Sequence, residues 1–317
     1  MSADAEPPVL RELQTIELIE MFGAARQSGL HVDAIIAVDA HPDLKHALFA
    51  QNAGGEFIPI LTNTPYATLW QSMPYLQRLA AGCALEAHLL ASPEKWGFFA
   101  ITAAGSDIHC DHWRSLCEVL LPDGSKSFFR FQDARAMRMM LSTFTEQETG
   151  WFMGPVARLI LPACGQDCAR IWLEAVNPAL RNRTETELAE AYRPAPERPW
   201  WEVREEHLAN MAKERRAALV YNLYHNLLNE MPYTASDMDI HYGTLQVGIE
   251  AYVDAALGFG LTEDEDITDF FDICLLLPFG AQDGPAVKEA MQDAAQNPRG
   301  ALMRLNDLAI SLDGEQP

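Results

Sequence analysis

The sequence predicts an α/β fold, with a mixed sheet flanked by helices in an N-terminal lobe and an all-helical C-terminal lobe after it. Three observations predict this. Short apolar runs alternate with stretches of helical spacing through the first half of the chain, as strands alternate with helices in α/β folds. Pro122-Asp123-Gly124 joins two further strand-like runs with a strong turn signal. From Trp200 onward almost every segment keeps helical spacing.

The elements follow in order. Leu10, Leu13, Ile16, Ile19 and Met21 are close to helical spacing over Val9 to Gln27, and Ser28-Gly29 ends that segment. His31 to Ala40 is a near-continuous apolar run, the pattern of a central strand buried on both faces. Pro42 to Ala53 reads as a short helix closed by Gly54-Gly55, and Glu56 to Thr62 as a second strand. Pro74 to Leu90 reads as mostly helical with a break at Gly82, and Trp96 to Thr102 as a third strand. Ser106 or Asp107 caps a helix reaching about Leu116. Glu118 to Leu121 and Ser127 to Gln132 complete a hairpin.

Composition shifts after Pro162, and Asn177 to Pro199 is rich in charge and proline. The expected division is therefore an α/β domain over 1–165, a connector over 166–199 and a helical lobe over 200–317. In that lobe Glu202 to Met231 is one long amphipathic segment, with Leu208, Met211, Leu219, Leu223 and Leu227 marking its apolar face. A second helix is expected from Ser236-Asp237 to Leu257, stopped by Gly258 and Gly260. Thr262 caps a third, whose Glu263-Asp264-Glu265-Asp266 run suits a helix start. Pro285 to Gln296 and Arg299 to Leu312 finish the chain.

Hydrophobic residues make up 49% of the 317, enough for a sizeable core. Lysine and arginine number 23 against 45 acidic residues, a net charge of −22. Such a field repels nucleic acid and anionic membranes and favours basic protein partners. Met1 to Arg11 has neither a basic region nor an apolar core of a secretory signal, and no apolar run approaches the length of a membrane span. Cys83, Cys110, Cys117, Cys164, Cys168 and Cys274 form no C-x-x-C pair. A cytoplasmic protein with reduced thiols is the expectation.

The common catalytic signatures are missing. There is no G-x-S-x-G, no G-x-x-x-x-G-K-[ST] and no G-x-G-x-x-G. Ala103-Ala104-Gly105-Ser106-Asp107 sits where a strand meets a helix, a place for an anion or for an ordinary N-cap. His109 and His112, at i and i+3, can share a helix face and offer a metal two ligands, but nothing adjacent supplies the rest. Helix-surface polarity explains the pair more simply. Cys164-Gly-Gln-Asp-Cys168 has the wrong spacing for a redox motif. Asp39 ends an apolar strand, where open α/β sheets place functional groups, or it caps the segment starting at His41-Pro42. A small-molecule hydrolase built around Asp39 with a nearby histidine or cysteine is one alternative, and a metal-binding module at His109 and His112 is another.

Arg130 stands among Phe128, Phe129 and Phe131. In a strand, Phe129 and Phe131 face one side while Phe128, Arg130 and Gln132 face the other. A buried cation needs a partner, and Asp39 or Asp133 can supply a bidentate carboxylate. If that ion pair is buried, removing one member costs about 3–5 kcal/mol.

Several short motifs follow one another along the chain. They are Val38-Asp39-Ala40, Thr64-Pro65-Tyr66, Pro74-Tyr75-Leu76, Trp96-Gly97, Leu121-Pro122-Asp123-Gly124, Phe129-Arg130-Phe131-Gln132-Asp133 and Gly154-Pro155. In this order and spacing the chain resembles the type VI secretion effector adaptor (chaperone) family, from about Ile35 to Pro162. The family pattern usually runs Phe-Arg-Phe-Tyr-Asp-Pro-Arg, and here Gln132 and Ala134 replace the tyrosine and proline. The resemblance implies a cytoplasmic adaptor that is not a catalyst and uses no cofactor. Its implied partners are a toxic effector protein and the VgrG spike, with neither nucleic acid nor membrane involved. Tyr66, Tyr75, Trp200, Trp201, Tyr221 and Tyr224 are the candidate partner-binding aromatics, because aromatics dominate binding hot spots. Packing between the lobes is the simpler expectation for the last four.

Overall fold

A computed structural model describes residues 10–37, 57–69, 73–92, 96–164, 170–193 and 199–313. The α/β class is what the sequence predicts. A seven-stranded sheet carries helices on its faces, and helices dominate the C-terminal part.

The chain begins with β1 (Arg11–Leu13), α1 (Thr15–Gln27), β2 (His31–Ala37) and β3 (Phe57–Pro59). Next come β4 (Pro74–Arg78), α2 (Ala84–Ala91), β5 (Gly97–Thr102) and α3 (Ser106–Leu116). The hairpin β6 (Glu118–Leu120) and β7 (Lys126–Phe128) leads to α4 (Ala134–Leu141) and α5 (Glu146–Met153). Then follow β8 (Val156–Cys164), β9 (Arg170–Val176), α6 (Glu185–Ala191) and β10 (Trp201–Glu202).

The large sheet has the order β1-β9-β8-β5-β2-β4-β3, and each of its pairs is antiparallel. Parallel pairing is confined to a small sheet, β10-β6-β7, where β10 runs alongside β6. β2 and β5 lie at the centre of the large sheet and are buried almost throughout. Their side chains alternate between two cores, as strand geometry requires. Ile35, Phe98 and Ala100 pack with Trp113 of α3 and with Phe131 and Phe152. Ala34, Ile36, Phe99 and Ile101 pack on the other face with Leu18 and Phe22 of α1 and with Trp172. Asp33 shares a face with Ile35 by the same alternation, so it points toward the α3 side.

Three expectations change in this region. Pro74 to Arg78 is a strand, because Leu76 and its neighbours register against both β2 and β3. Only the part after Gly82 is helical, as α2. β1 precedes α1 where one helix was expected. The stretch over 166–199 is not a plain connector, since β9 completes the large sheet between β8 and β1. β10 then returns Trp201 and Glu202 to the small sheet. The expected helix over Pro42 to Ala53 lies outside the described residues.

The chain divides into two compact units between Met211 and Ala212. That point falls inside α7 (Glu205–Glu230). The second unit continues with α8 (Pro232–Tyr242), α9 (Leu245–Gly258), α10 (Asp264–Cys274), α11 (Pro285–Ala290) and α12 (Pro298–Asp313). Its core gathers Leu219, Leu223 and Leu227 with Met238, Ile249, Tyr252, Phe270 and Leu305. Leu208, expected on the apolar face, is exposed. The single helix expected up to Leu257 is two, because α8 ends at Gly243 and Thr244 starts α9 by accepting a hydrogen bond from the Val247 N–H at 3.2 Å.

Candidate functional site

The centre of the α/β unit holds a closed ionic knot. Arg78 of β4 donates through Nε to Asp33 Oδ1 at 2.9 Å and through Nη2 to Asp33 Oδ2 at 3.1 Å. The same Nη2 donates to the Ala104 carbonyl at 3.0 Å. His109 Nδ1 lies 2.9 Å from Asp33 Oδ2. An ionised carboxylate only accepts, so that nitrogen carries the proton. Asp33, Arg78 and His109 together thus join β2, β4, the β5–α3 loop and α3. Burial pushes the Asp33 carboxyl upward, but the hydrogen bonds and charges of His109 and Arg78 outweigh it and hold it below its ordinary value. Asp33 and His109 have no exposed surface.

Strand register makes the knot. Asp33 stands opposite Arg78 in the β2–β4 ladder and opposite Ala100 in the β2–β5 ladder. Cross-strand partners directly opposite bring their side chains close. α3 then lays His109 over the pair, starting from an N-cap at Gly105.

His112, one turn on, is tied elsewhere. Its Nε2 donates to the Phe152 carbonyl at 2.8 Å and its Nδ1 lies 2.9 Å from the Tyr192 hydroxyl. Burial pulls its pKa down to about 3, against a smaller upward effect of the Phe152 carbonyl, so the ring is neutral. Two motif glycines permit close approaches, one of them to the His112 ring. At Gly97, with φ +127°, a Cβ would lie 1.9 Å from the Ile35 carbonyl oxygen. At Gly154, with φ +55°, it would lie 2.4 Å from His112 Cε1. Neither position has room for a side chain. Asn177 secures the Gly154 loop by donating to the carbonyls of Gly154 and Val156 at 3.2 and 3.0 Å.

These partners define what the site can do chemically. His109 and His112 are spent on different groups, and among the described residues no three His, Cys, Asp or Glu side chains converge as a metal site. Burial pushes the Cys110 and Cys274 thiols up to about 11 and 12, so neither is a ready nucleophile. Asp33 and His109 have the residue types of a general-base pair, but no surface through which a substrate reaches them. Asp39, around which the hydrolase alternative is built, lies outside the described residues, as do Cys168 and the segment at His41-Pro42.

The hairpin region corrects the reading of Arg130. β7 stops at Phe128, and Arg130 is exposed rather than buried in an aromatic strand. The argument from a buried cation therefore does not apply to it. Asp133 is the N-cap of α4, its Oδ1 accepting from the N–H groups of Arg135 and Ala136 at 2.9 and 3.3 Å. The buried polar residue here is Gln132, 1% exposed, with no hydrogen-bond partner for either end of its amide among the described residues.

The candidate aromatics are mostly packed. Trp201 is buried against Phe144 and Phe152, so it belongs to the core and is not an exposed anchor. Trp200 is half-buried and donates through Nε1 to Ser115 Oγ at 3.0 Å. Tyr66 donates to Glu118 Oε1 at 3.2 Å and packs on Phe128. Tyr75 stacks on Phe57 with centroids 4.3 Å apart. In the helical unit Tyr221 is 52% exposed beside His225, while Tyr224 is partly buried against the core.

Asp33 and Arg78 were missed from sequence. The signal for Asp33 was present, since a carboxylate inside an apolar strand needs a partner just as a cation does. Arg78 was hidden because its segment reads as helix.

Among the described residues no helix is long and apolar enough to cross a membrane. No curated protein and no solved structure matches the chain. Residues 33–150 match the model of a family described as a domain of unknown function (DUF4123), a stretch that begins at Asp33 and also holds Arg78 and His109. That family is associated with effector adaptors of type VI secretion.

Proposed function

We propose that the protein is a non-catalytic adaptor that holds a toxic effector in the cytoplasm and helps load it onto the VgrG spike of a type VI secretion system. The match of residues 33–150 to DUF4123 carries this reading. The closed state of the Asp33–Arg78–His109 knot supports it, since this buried Asp–His pair is bound up with Arg78. Exposed apolar side chains suit a binding protein. Trp151 is 56% exposed in the α/β unit, and Tyr233 and Ile240 are 88% and 78% exposed in the helical unit. Large apolar groups on a surface mark interaction sites when they cluster.

The test is co-expression with the effector and spike encoded by neighbouring genes, followed by affinity capture and size-exclusion chromatography. A stable complex with either one is the expected outcome. Recovery of neither, with all three proteins folded, overturns the reading.

A further inference from the structure

A cleft of about 450 Å³ opens between the β6–β7 turn and the start of α7. Leu120, Leu121, Pro122 and Val203 supply its apolar lining, and Glu202 and Glu205 add two exposed carboxylates. Its size falls within the range of about 300–1,000 Å³ common for binding sites. We propose that this cleft receives a segment of the partner protein in which an apolar side chain stands beside arginine or lysine. The proposal rests on the adaptor reading and names the chemistry of what is adapted.

Three observations lead to that occupant. First, the walls are already set. The Leu121 N–H donates to the Ser125 carbonyl at 2.8 Å, and the Gly124 N–H to the Leu121 carbonyl at 2.9 Å. The Val203 N–H donates to the Leu120 carbonyl at 2.8 Å, which holds the two sides together. A preformed cleft loses little order on binding.

Second, the cation of the cleft is already used. Arg204 pairs with Glu148, its Nε 2.9 Å from Oε1 and its Nη2 donating to Oε2 at 3.0 Å. It also donates to the Thr143 carbonyl at 3.2 Å and to Glu206 at 2.9 Å. Glu202 and Glu205 form no ion pair among the described residues. Glu205 favours the α7 N-terminus, a role that Glu202, in β10, does not have.

Third, the lining is apolar apart from these charges. It lacks the convergent polar groups that orient a small ligand, and an anion meets two carboxylates on a chain of net charge −22. An apolar side chain next to a cation satisfies both parts of the surface, and charge complementarity of this kind chooses partners and speeds encounter.

The test uses the full chain with labelled leucine and valine methyl groups, followed by nuclear magnetic resonance. One probe is a synthetic peptide with a leucine between two arginines, and the other carries glutamates in place of the arginines. The arginine peptide alone should shift the methyls of Leu120, Leu121 and Val203. Its affinity should fall about fivefold in the Glu202→Gln/Glu205→Gln chain. No shift, an equal response to the glutamate peptide, or unchanged affinity in the double variant overturns the proposal. The double variant then enters the co-expression experiment. If the parent holds the effector or spike and the double variant holds it equally well, the cleft proposal falls and the adaptor reading stands. If the parent holds neither, the adaptor reading falls, and with it the partner segment proposed for the cleft, whatever the peptides do.

Discussion

Two stretches of the α/β unit carry most of the motifs, and they are built in opposite ways. The β2–β4–β5 centre is closed around Asp33, whose carboxylate has three donors and no exposed surface. The stretch from Leu121 to Arg135 is open. Its turn is exposed, Arg130 is exposed, and Asp133 spends its carboxylate on a helix N-terminus. Both places hold arginine and aspartate. The comparison teaches that the cost of such a charge depends on whether water reaches it, and neighbouring residue types do not reveal that.

The largest expected effect tests the closed side. Asp33→Ala leaves Arg78 and His109 without their acceptor and should lower unfolding free energy by about 3–5 kcal/mol, read from the urea midpoint. Arg78→Ala should cost a similar amount, and the double variant clearly less than the sum. Additive losses would mean that the knot is not one unit.

Acid should also act on the closed side. His112 has its pKa pulled from 6.5 down to about 3 in the folded chain. The unfolded chain therefore binds the extra proton between those values. The stability it contributes is complete above pH 6.5 and is lost progressively as pH falls toward 3. Asp33 adds to this at the acid end, because its depressed pKa contributes stability above the ordinary carboxylate range and loses it as pH falls through the folded value. His112→Gln should flatten the midpoint-against-pH curve between pH 6 and 4. A curve unchanged by that substitution would remove His112 from the account.

Gly154→Ala comes next. A methyl group there meets the His112 ring on a backbone of positive φ, so a loss of about 1–3 kcal/mol is expected. Adding His112→Ala should relieve part of it. The open side gives smaller numbers. Gln132→Met removes two unpartnered buried polar atoms and should raise stability by about 1 kcal/mol. Arg130→Ala should change it by under about 1 kcal/mol. An Arg130→Ala loss as large as that of Asp33→Ala would erase the contrast between the two regions.

Much of the fold was legible. The central strand β2, the strand β5, helix α3 and the β6–β7 turn follow from local apolar runs and turn chemistry. β4 was read as helix because Pro74 to Leu90 contains a strand and a helix with no polar gap between them. β9 was hidden by the change in composition after Pro162, and β8, most of which precedes that change, was given no element, although both are strands of the large sheet. Of the site, His109 and His112 were singled out, but for metal binding. Their partners were not visible, since Phe152 and Tyr192 lie far along the chain and meet the ring only after α5 and α6 pack.

The sequence by itself determined the α/β class, the helical C-terminal part, the strong acidic charge and the match of residues 33–150 to DUF4123. Each of these is a local or summed property, readable from spacing and composition. Tertiary structure alone decided which charges are buried and with whom. Asp33 finds Arg78 across 45 positions and His109 across 76, through strand register and helix packing. Those contacts join residues that no local pattern links, which is why the sequence reading looked for a buried charge at Arg130 while the folded chain buries one at Asp33.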